Sequence, residues 1–276
     1  MSVFASFPAR VFAQEPCALK VPCVVGERSY HARLPDGWDG TSPLPVLIHF
    51  HGWARQGPLV MRHRRIAGAT RKRGVLLLAP NGRNRSWSFW SKDSADVPFA
   101  SDVLADAAKR WPIDRSRIYV SGYSYGSAMA WRFACEAGEG IAALLAIAGT
   151  VPDQSEDCQA PIAVRHVHGT RDTVMDFPFG EGGDVTGPIH LWRRINGCRE
   201  APSKVFPYRA AARRPLTRQV WTGCESGKDI RLDIHARGHF IPRRWLDVQL
   251  AQLLGQPVEL GRKEPDIGRH KDGMWP

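Results

Sequence analysis

The 276-residue chain lacks a long hydrophobic run. Its longest, Ile141 to Ala148, falls far short of the ~20 residues that cross a bilayer as a helix, so no membrane span is expected and the run reads as a buried strand or helix. No repeat recurs at the period of about 20–50 residues that marks solenoids and propellers. There is no C-x-x-C pair and no close Cys/His grouping, so no metal site is expected. Acidic residues are short in supply: 27 Asp and Glu face 38 Lys and Arg, a formal charge of +11. Such a surplus can serve nucleic acid or an anionic surface. Here, however, the basic residues are scattered in pairs such as Arg64-Arg65, Arg193-Arg194, Arg213-Arg214 and Arg243-Arg244, with no nucleic-acid motif beside them. They read as a solvated cationic surface, with no nucleic-acid partner.

The length and a hydrophobic share of 43% suit one large domain. The six cysteines, at 17, 23, 135, 158, 198 and 224, are even in number. They fit three disulfides in an oxidising compartment or, equally, buried thiols. Val11-Phe12-Ala13 before Gln14-Glu15 looks like a signal-peptidase site, although Pro8 and Arg10 break the apolar stretch ahead of it. Residues 1–13 are therefore expected to be the remnant of a signal peptide, 14–255 the globular domain, and 256–276 a charged, poorly packed tail.

Along the chain, short β-prone runs alternate with helical ones. Ser29–Leu34, Pro45–Phe50, Val75–Ala79, Ile118–Val120, Ile141–Ala148, Pro161–Val167 and Asp229–His235 read as strands. Leu59–Arg73, a segment capped by Ser101-Asp102 and running to Trp111, Ser127–Ala134, Pro188–Asn196 and Pro242–Leu254 read as helices. The alternation predicts a mostly parallel central sheet with helices on both faces. In such sheets the active site lies at the carboxyl ends of the strands. His51, Ser124, Asp172 and His239 all follow directly on predicted strands, so they share one edge.

Gly122-Tyr123-Ser124-Tyr125-Gly126 fits G-x-S-x-G between a strand and a helix, the setting of a nucleophile elbow. A serine nucleophile needs a base, and the base an orienting carboxylate, in the chain order Ser, Asp, His. Ser124, Asp172 and His239 supply that order, with Asp176 and Asp184 as weaker rivals for the acid. The N–H of Tyr125, just after the nucleophile, is one candidate oxyanion donor. The N–H of Trp53, in His51-Gly52-Trp53, is the other. His51 itself reads as a structural loop histidine. Trp87 and Trp90, in an aromatic loop with Phe89, are candidate walls of an acyl site along with Tyr123; packing under the loop is the rival reading for the tryptophans.

These residues resemble those of secreted α/β-hydrolases of the polyhydroxybutyrate depolymerase-like group, which includes feruloyl and acetylxylan esterases. The likeness rests on His51-Gly52, Gly122–Gly126 with Met129, His168-Gly-Thr-Arg-Asp172, Trp192 with Asn196-Gly-Cys198, Trp221-Thr-Gly-Cys224, and Gly238-His239. It implies the α/β-hydrolase fold, a serine esterase with the triad Ser124, Asp172 and His239, carboxylic ester substrates such as hydroxyalkanoate oligomers or feruloyl and acetyl esters, and no cofactor. It also implies secretion, and it supports pairing Cys198 with Cys224. Pairing neighbours in order adds Cys17 with Cys23 and Cys135 with Cys158. A monomer is expected. Many relatives carry a cysteine soon after the His-Gly pair and Gly-Gly-Gly-His at the base, where this chain has Trp53 and Ala236-Arg-Gly-His239; this departure bears on the substrate more than on the chemistry. Acyl transfer or peptide cleavage on the same triad, a non-catalytic binding protein and a nucleic-acid binder are the competing classes.

Overall fold

The computed structural model describes residues 17, 20–90, 93–150, 158, 160–175, 185–209 and 215–258. The expected leader 1–13, the tail from 259 onward, Arg213-Arg214 and the rival acids Asp176 and Asp184 lie outside the described residues.

One ten-stranded sheet organises the chain. Its strands are β1 (Cys23–Val25), β2 (Arg28–Arg33), β3 (Leu44–Phe50), β4 (Leu76–Pro80), β5 (Ile113–Tyr123), β6 (Ala143–Ile147), β7 (Ala163–Gly169), β8 (Lys204–Tyr208), β9 (Leu216–Trp221) and β10 (Ile230–His235). They are ordered β1-β2-β4-β3-β5-β6-β7-β10-β9-β8. From β4 to β10 in that order the pairing is parallel, and the outer strands at both sides are antiparallel. The order reverses at β3, with β4 on one side and β5 on the other. That places a crevice at the carboxyl ends of β3 and β5.

β4 and β6 are apolar and buried along their whole length, and β3 is so apart from the buried His49, because both faces of the sheet are covered there. Val46, Ile48 and Phe50 of β3 join one apolar cluster with Val103 of α3 (Asp96–Arg110), Met129 and Phe133 of α4 (Tyr125–Glu136) and Trp192 of α5 (Gly187–Ile195). Leu47, pointing the other way, joins a second cluster with Met61 of α1 (Gly57–Arg62), Ala67 of α2 (Ala67–Arg73) and Leu246 of α6 (Trp245–Leu253). Disulfides join Cys17 to Cys23, Cys135 to Cys158 and Cys198 to Cys224.

The structure departs from the sequence reading in places. The expected helix over 59–73 is two helices, α1 and α2, broken at His63, where the backbone becomes extended. Arg33 of β2 donates to the Met61 carbonyl, satisfying an end that a continuous helix would have bonded internally. The helix placed after Ser101-Asp102 begins earlier, at Asp96, with Pro98 in the first turn where a missing N–H is tolerated. Asp96 also pairs with Arg28 at 2.7 Å, tying the start of α3 to β2.

Strands β8 and β9 were not read from the sequence. The reason lies in Arg218, a buried cation where an apolar residue would signal a strand. It stands opposite Asp233 of β10. Two hydrogen bonds join them, at 2.7 and 2.6 Å, the Trp245 indole donates to the same carboxylate at 2.7 Å, and the guanidinium lies 3.5 Å over the Tyr208 ring. Removing one partner of such a buried pair leaves an uncompensated charge. Asp233→Ala should therefore lower the unfolding free energy by about 3–5 kcal/mol, read as a shift in urea midpoint at unchanged m-value.

Candidate active site

The turn after β5 is built by the absence of side chains. A Cβ at Gly122 would fall 1.9 Å from the Gly126 carbonyl oxygen, and one at Gly126 would fall 2.0 Å from that of Phe50. The two glycines let the strand reverse directly into α4. Ser124, at the apex, has φ 57 and ψ −125, a strained conformation that loop packing must hold in place. Its N–H bonds to the Ile147 carbonyl at 3.0 Å, and its own carbonyl accepts from the Ser127 and Ala128 amides. Tyr125, as the first residue of α4, has no carbonyl one turn back for its N–H. The β3 end passes close by: a Cβ on Gly52 would meet the Tyr123 carbonyl at 3.4 Å and Ser124 Cβ at 3.6 Å. Gly52 opens a tight turn closed by the Arg55 amide, in which Ala54 has φ 58. The Trp53 side chain is 65% exposed.

Asp172 and His239 arrive on neighbouring parallel strands, β7 and β10. Gly169 brings their loops together, since a Cβ there would lie 2.1 Å from the Arg237 carbonyl oxygen. Hydrogen bonds from the Thr170 amide to His235 and from the Arg171 amide to Arg237 stitch the two segments. The His239 Nδ1–H then donates to Asp172 Oδ2 at 2.7 Å. Asp172 Oδ1 accepts from the Val174 and Met175 amides at 2.9 and 2.8 Å. One carboxylate thus caps its own turn and orients the imidazole. Burial alone would raise its pKa, but the bonds from His239, Met175 and Val174 outweigh burial and hold it below the ordinary carboxylate value. His168, buried and shifted down by that burial, donates from Nε2 to the Met175 carbonyl and stands 3.4 Å from the same carboxylate.

Tyr123 sits against the histidine rather than open to solvent. Its hydroxyl donates to the His239 carbonyl at 3.2 Å, and the two rings lie 4.9 Å apart. Burial, then the nearby Asp172 charge, raises its pKa to about 12, so it stays a donor. Tyr123, an expected substrate contact, thus also holds His239 beside the elbow. Nothing in the residue spacing signals this, because the partner is a backbone carbonyl.

Trp87 lies in the packing arrangement that stood as the rival to an acyl-site wall. It is 3% exposed, packs on Phe50 and His51, and donates its indole N–H to the His51 carbonyl at 2.8 Å. It supports the β3 end from beneath. His51 donates from Nδ1 to the Gly52 carbonyl and accepts the Gly82 amide at Nε2, and burial takes its pKa down to about 4. Both ring nitrogens are occupied, in keeping with a structural histidine. Trp90, at 52% exposed, stacks beside Phe89 and against Tyr125, directly behind Ser124 in sequence.

No protein-family model matches the chain. Curated relatives do. Feruloyl esterase D of Neurospora crassa is 25% identical over 223 residues, which cover 77% of this chain and 73% of the relative. A probable feruloyl esterase C of Aspergillus flavus is 26% identical over 182 residues, 64% of this chain and 65% of the relative. Among solved structures, an acetyl xylan esterase from Aspergillus awamori superposes with a TM-score of 0.65 at 13% identity, over 83% of this chain and 94% of that one. The chain has the α/β-hydrolase fold and is similar in sequence to feruloyl esterases. An S-formylglutathione hydrolase from Agrobacterium tumefaciens shares the fold too, with a TM-score of 0.56 at 14% identity over 85% of this chain and 90% of that one. In this α/β-hydrolase the elbow, the Asp172–His239 pair and the β3 loop converge at the sheet's carboxyl edge, next to the reversal of strand order.

Trp87→Phe removes the donor to a buried carbonyl and should lower stability by about 1–3 kcal/mol. Trp90→Ala, at an exposed position, should leave the melting temperature within about 2 °C while reordering the rates on esters of different acyl chains; a panel of p-nitrophenyl esters with thermal melts measures both. The Asp172 carboxylate has a lowered pKa when folded. Its stabilising contribution is therefore present above the unfolded value of about 3.9 and is lost as pH falls through the folded value. The stability difference between the wild type and Asp172→Asn should accordingly be full near neutrality and shrink in acid, as chemical denaturation across that range will read.

Proposed function

We propose that this protein is a serine esterase cleaving carboxylic esters through an acyl-enzyme, with Ser124 as nucleophile, His239 as base and Asp172 as the orienting acid. The observation that carries the reading is the 2.7 Å bond from His239 to a buried Asp172, on strands adjoining an elbow whose serine is held at φ 57. Ser124 Oγ attacks the ester carbonyl as its proton passes to His239 Nε2. Asp172 favours the imidazolium that forms, and the Tyr125 and Trp53 amides are the donors assigned to the oxyanion. Collapse breaks the bond to the alcohol oxygen, and the alcohol leaves with the proton from His239. Water, deprotonated by the same histidine, then attacks the acyl-enzyme. The carboxylic acid departs and Ser124 recovers its proton. Each step uses only these groups.

The sequence likeness to feruloyl esterases, and to a bifunctional acetylxylan esterase/xylanase of Neocallimastix patriciarum at 24% identity over 77% of this chain, supports feruloyl or acetyl esters as substrates. That chain is matched over only 31% of its length. Three disulfides suit an oxidising compartment, and we assign a secreted location on that ground. No helix among the described residues is long and apolar enough to cross a membrane. The protein is proposed to act as a monomer.

Ser124→Ala should reduce ester turnover roughly 10⁴-fold or more while leaving the fold intact. A fluorophosphonate should label Ser124 in the wild type and nothing in the variant. Near-normal turnover by a folded Ser124→Ala protein would overturn the mechanism.

A further inference from the structure

Behind Asp172 and His239 stands a third group with no part in the acyl-transfer steps. His168 lies at the carboxyl end of β7 and opens the stretch His168-Gly-Thr-Arg-Asp172. Its side chain is fully buried, as is that of Asp172. The His239 side chain, in contrast, is 15% exposed. His239 can therefore meet a substrate, whereas anything His168 contributes passes through another group.

The tautomer of His168 is fixed by its neighbour. Nε2 lies 2.7 Å from the Met175 carbonyl, which can only accept, so Nε2 carries the hydrogen. The same N–H stands 3.4 Å from Asp172 Oδ2. That is the oxygen that takes the His239 Nδ1–H at 2.7 Å. Met175 is bonded on its other side as well, since its amide donates to Asp172 Oδ1 at 2.8 Å. A closed circuit results. It runs from His168 to the Met175 carbonyl, from the Met175 amide to one carboxylate oxygen, and from the other oxygen back to His168. Opening it at His168 frees the Met175 end of the turn that sets the angle of the carboxylate.

The charges around the circuit favour a single anion. Burial lowers the pKa of His168 against the pull of the Met175 carbonyl and of Asp172, and the positive charge of His239 lowers it further. His168 thus stays neutral when the imidazolium forms on His239. His166, stacked on His168 with ring centres 5.5 Å apart, and His235 of β10 are also driven neutral by burial, His235 to about 4. Tyr123 remains protonated beside Asp172, and the charge of Arg237 acts on His235.

We propose that His168 is a positioning residue for the base: through Met175 and the shared oxygen it holds the Asp172 carboxylate in line with His239 Nδ1. The proposal rests on the esterase reading for its effect on turnover, and on the geometry alone for its effect on His239.

The test compares three variants of the whole protein. His168→Phe keeps a flat ring in the buried space and removes the donor. His168→Leu does the same should the phenylalanine variant fail to fold. His168→Gln brings an amide N–H to the place of Nε2. In His168→Phe, kcat/KM on p-nitrophenyl acetate should fall roughly 10–100-fold. Most of the loss should sit in kcat, because His168 is buried away from the substrate. The acid limb of the kcat/KM profile should move to lower pH, since a carboxylate out of line stabilises the imidazolium less. His168→Gln should stay within about fivefold of wild type and keep the limb in place. Proton NMR reads the same contact without turnover. The His239 Nδ1–H should resonate far downfield in the wild type and in His168→Gln, and vanish or move upfield in His168→Phe, whose His239 ring should titrate at lower pH. Full activity in the folded phenylalanine variant, a loss that leaves the pH profile and the Nδ1–H signal unchanged, or a glutamine variant as impaired as the phenylalanine one would each overturn the proposal. If the NMR differences appear and the wild type hydrolyses no ester, the esterase reading falls and the role of His168 stands.

Discussion

The catalytic edge depends on one close approach: the first turn of α4 lies directly against the end of β3. Gly126 leaves so little room that a single added carbon would overlap the carbonyls of Phe50 and His51. Because the helix sits there, the elbow can be sharp and Ser124 can be held in a conformation it would otherwise avoid. Because β3 sits there, the Gly52 turn passes over the serine. His51 and Trp87 then matter for what they do to that strand end. One ring is bonded at both nitrogens and the other donates to a carbonyl beneath. The core under the site and the geometry above it are the same set of contacts.

A second constraint governs the acid and the base. They are some seventy residues apart in sequence, yet β7 and β10 are hydrogen-bonded neighbours, with Gly169 paired to His235. The parallel register delivers both loops at one level. Asp172 adds precision by using its two oxygens for separate tasks, one closing its own turn and one holding the imidazole. A loop that depends on the carboxylate for its shape keeps that carboxylate aimed.

Local signals made much of this legible in advance. Apolar runs bounded by Gly and Pro marked the parallel strands, and G-x-S-x-G in a strand–helix setting marked the elbow. What stayed hidden was set by partners distant in sequence. β9 carries an inward arginine that only Asp233 makes tolerable. The long helix is broken where a side chain from β2 takes a carbonyl. The carbonyl bonds of Trp87 and Tyr123 were hidden too, because aromatic residues near a motif do not announce which carbonyl they will bond.

The two rims of the sheet have a consequence for how this molecule behaves in company. An open edge is a template on which another chain can add a strand. At one side the last strand, β1, is only three residues long and is clipped by the Cys17–Cys23 bridge at its start. At the other, β8 exposes Val205 and Phe206, the kind of surface that invites aggregation, but it begins with Lys204 and carries Pro207, which has no amide hydrogen to offer a newcomer. Crowded copies therefore meet blunt margins instead of growing fronts, and the sheet stops at its own last strand.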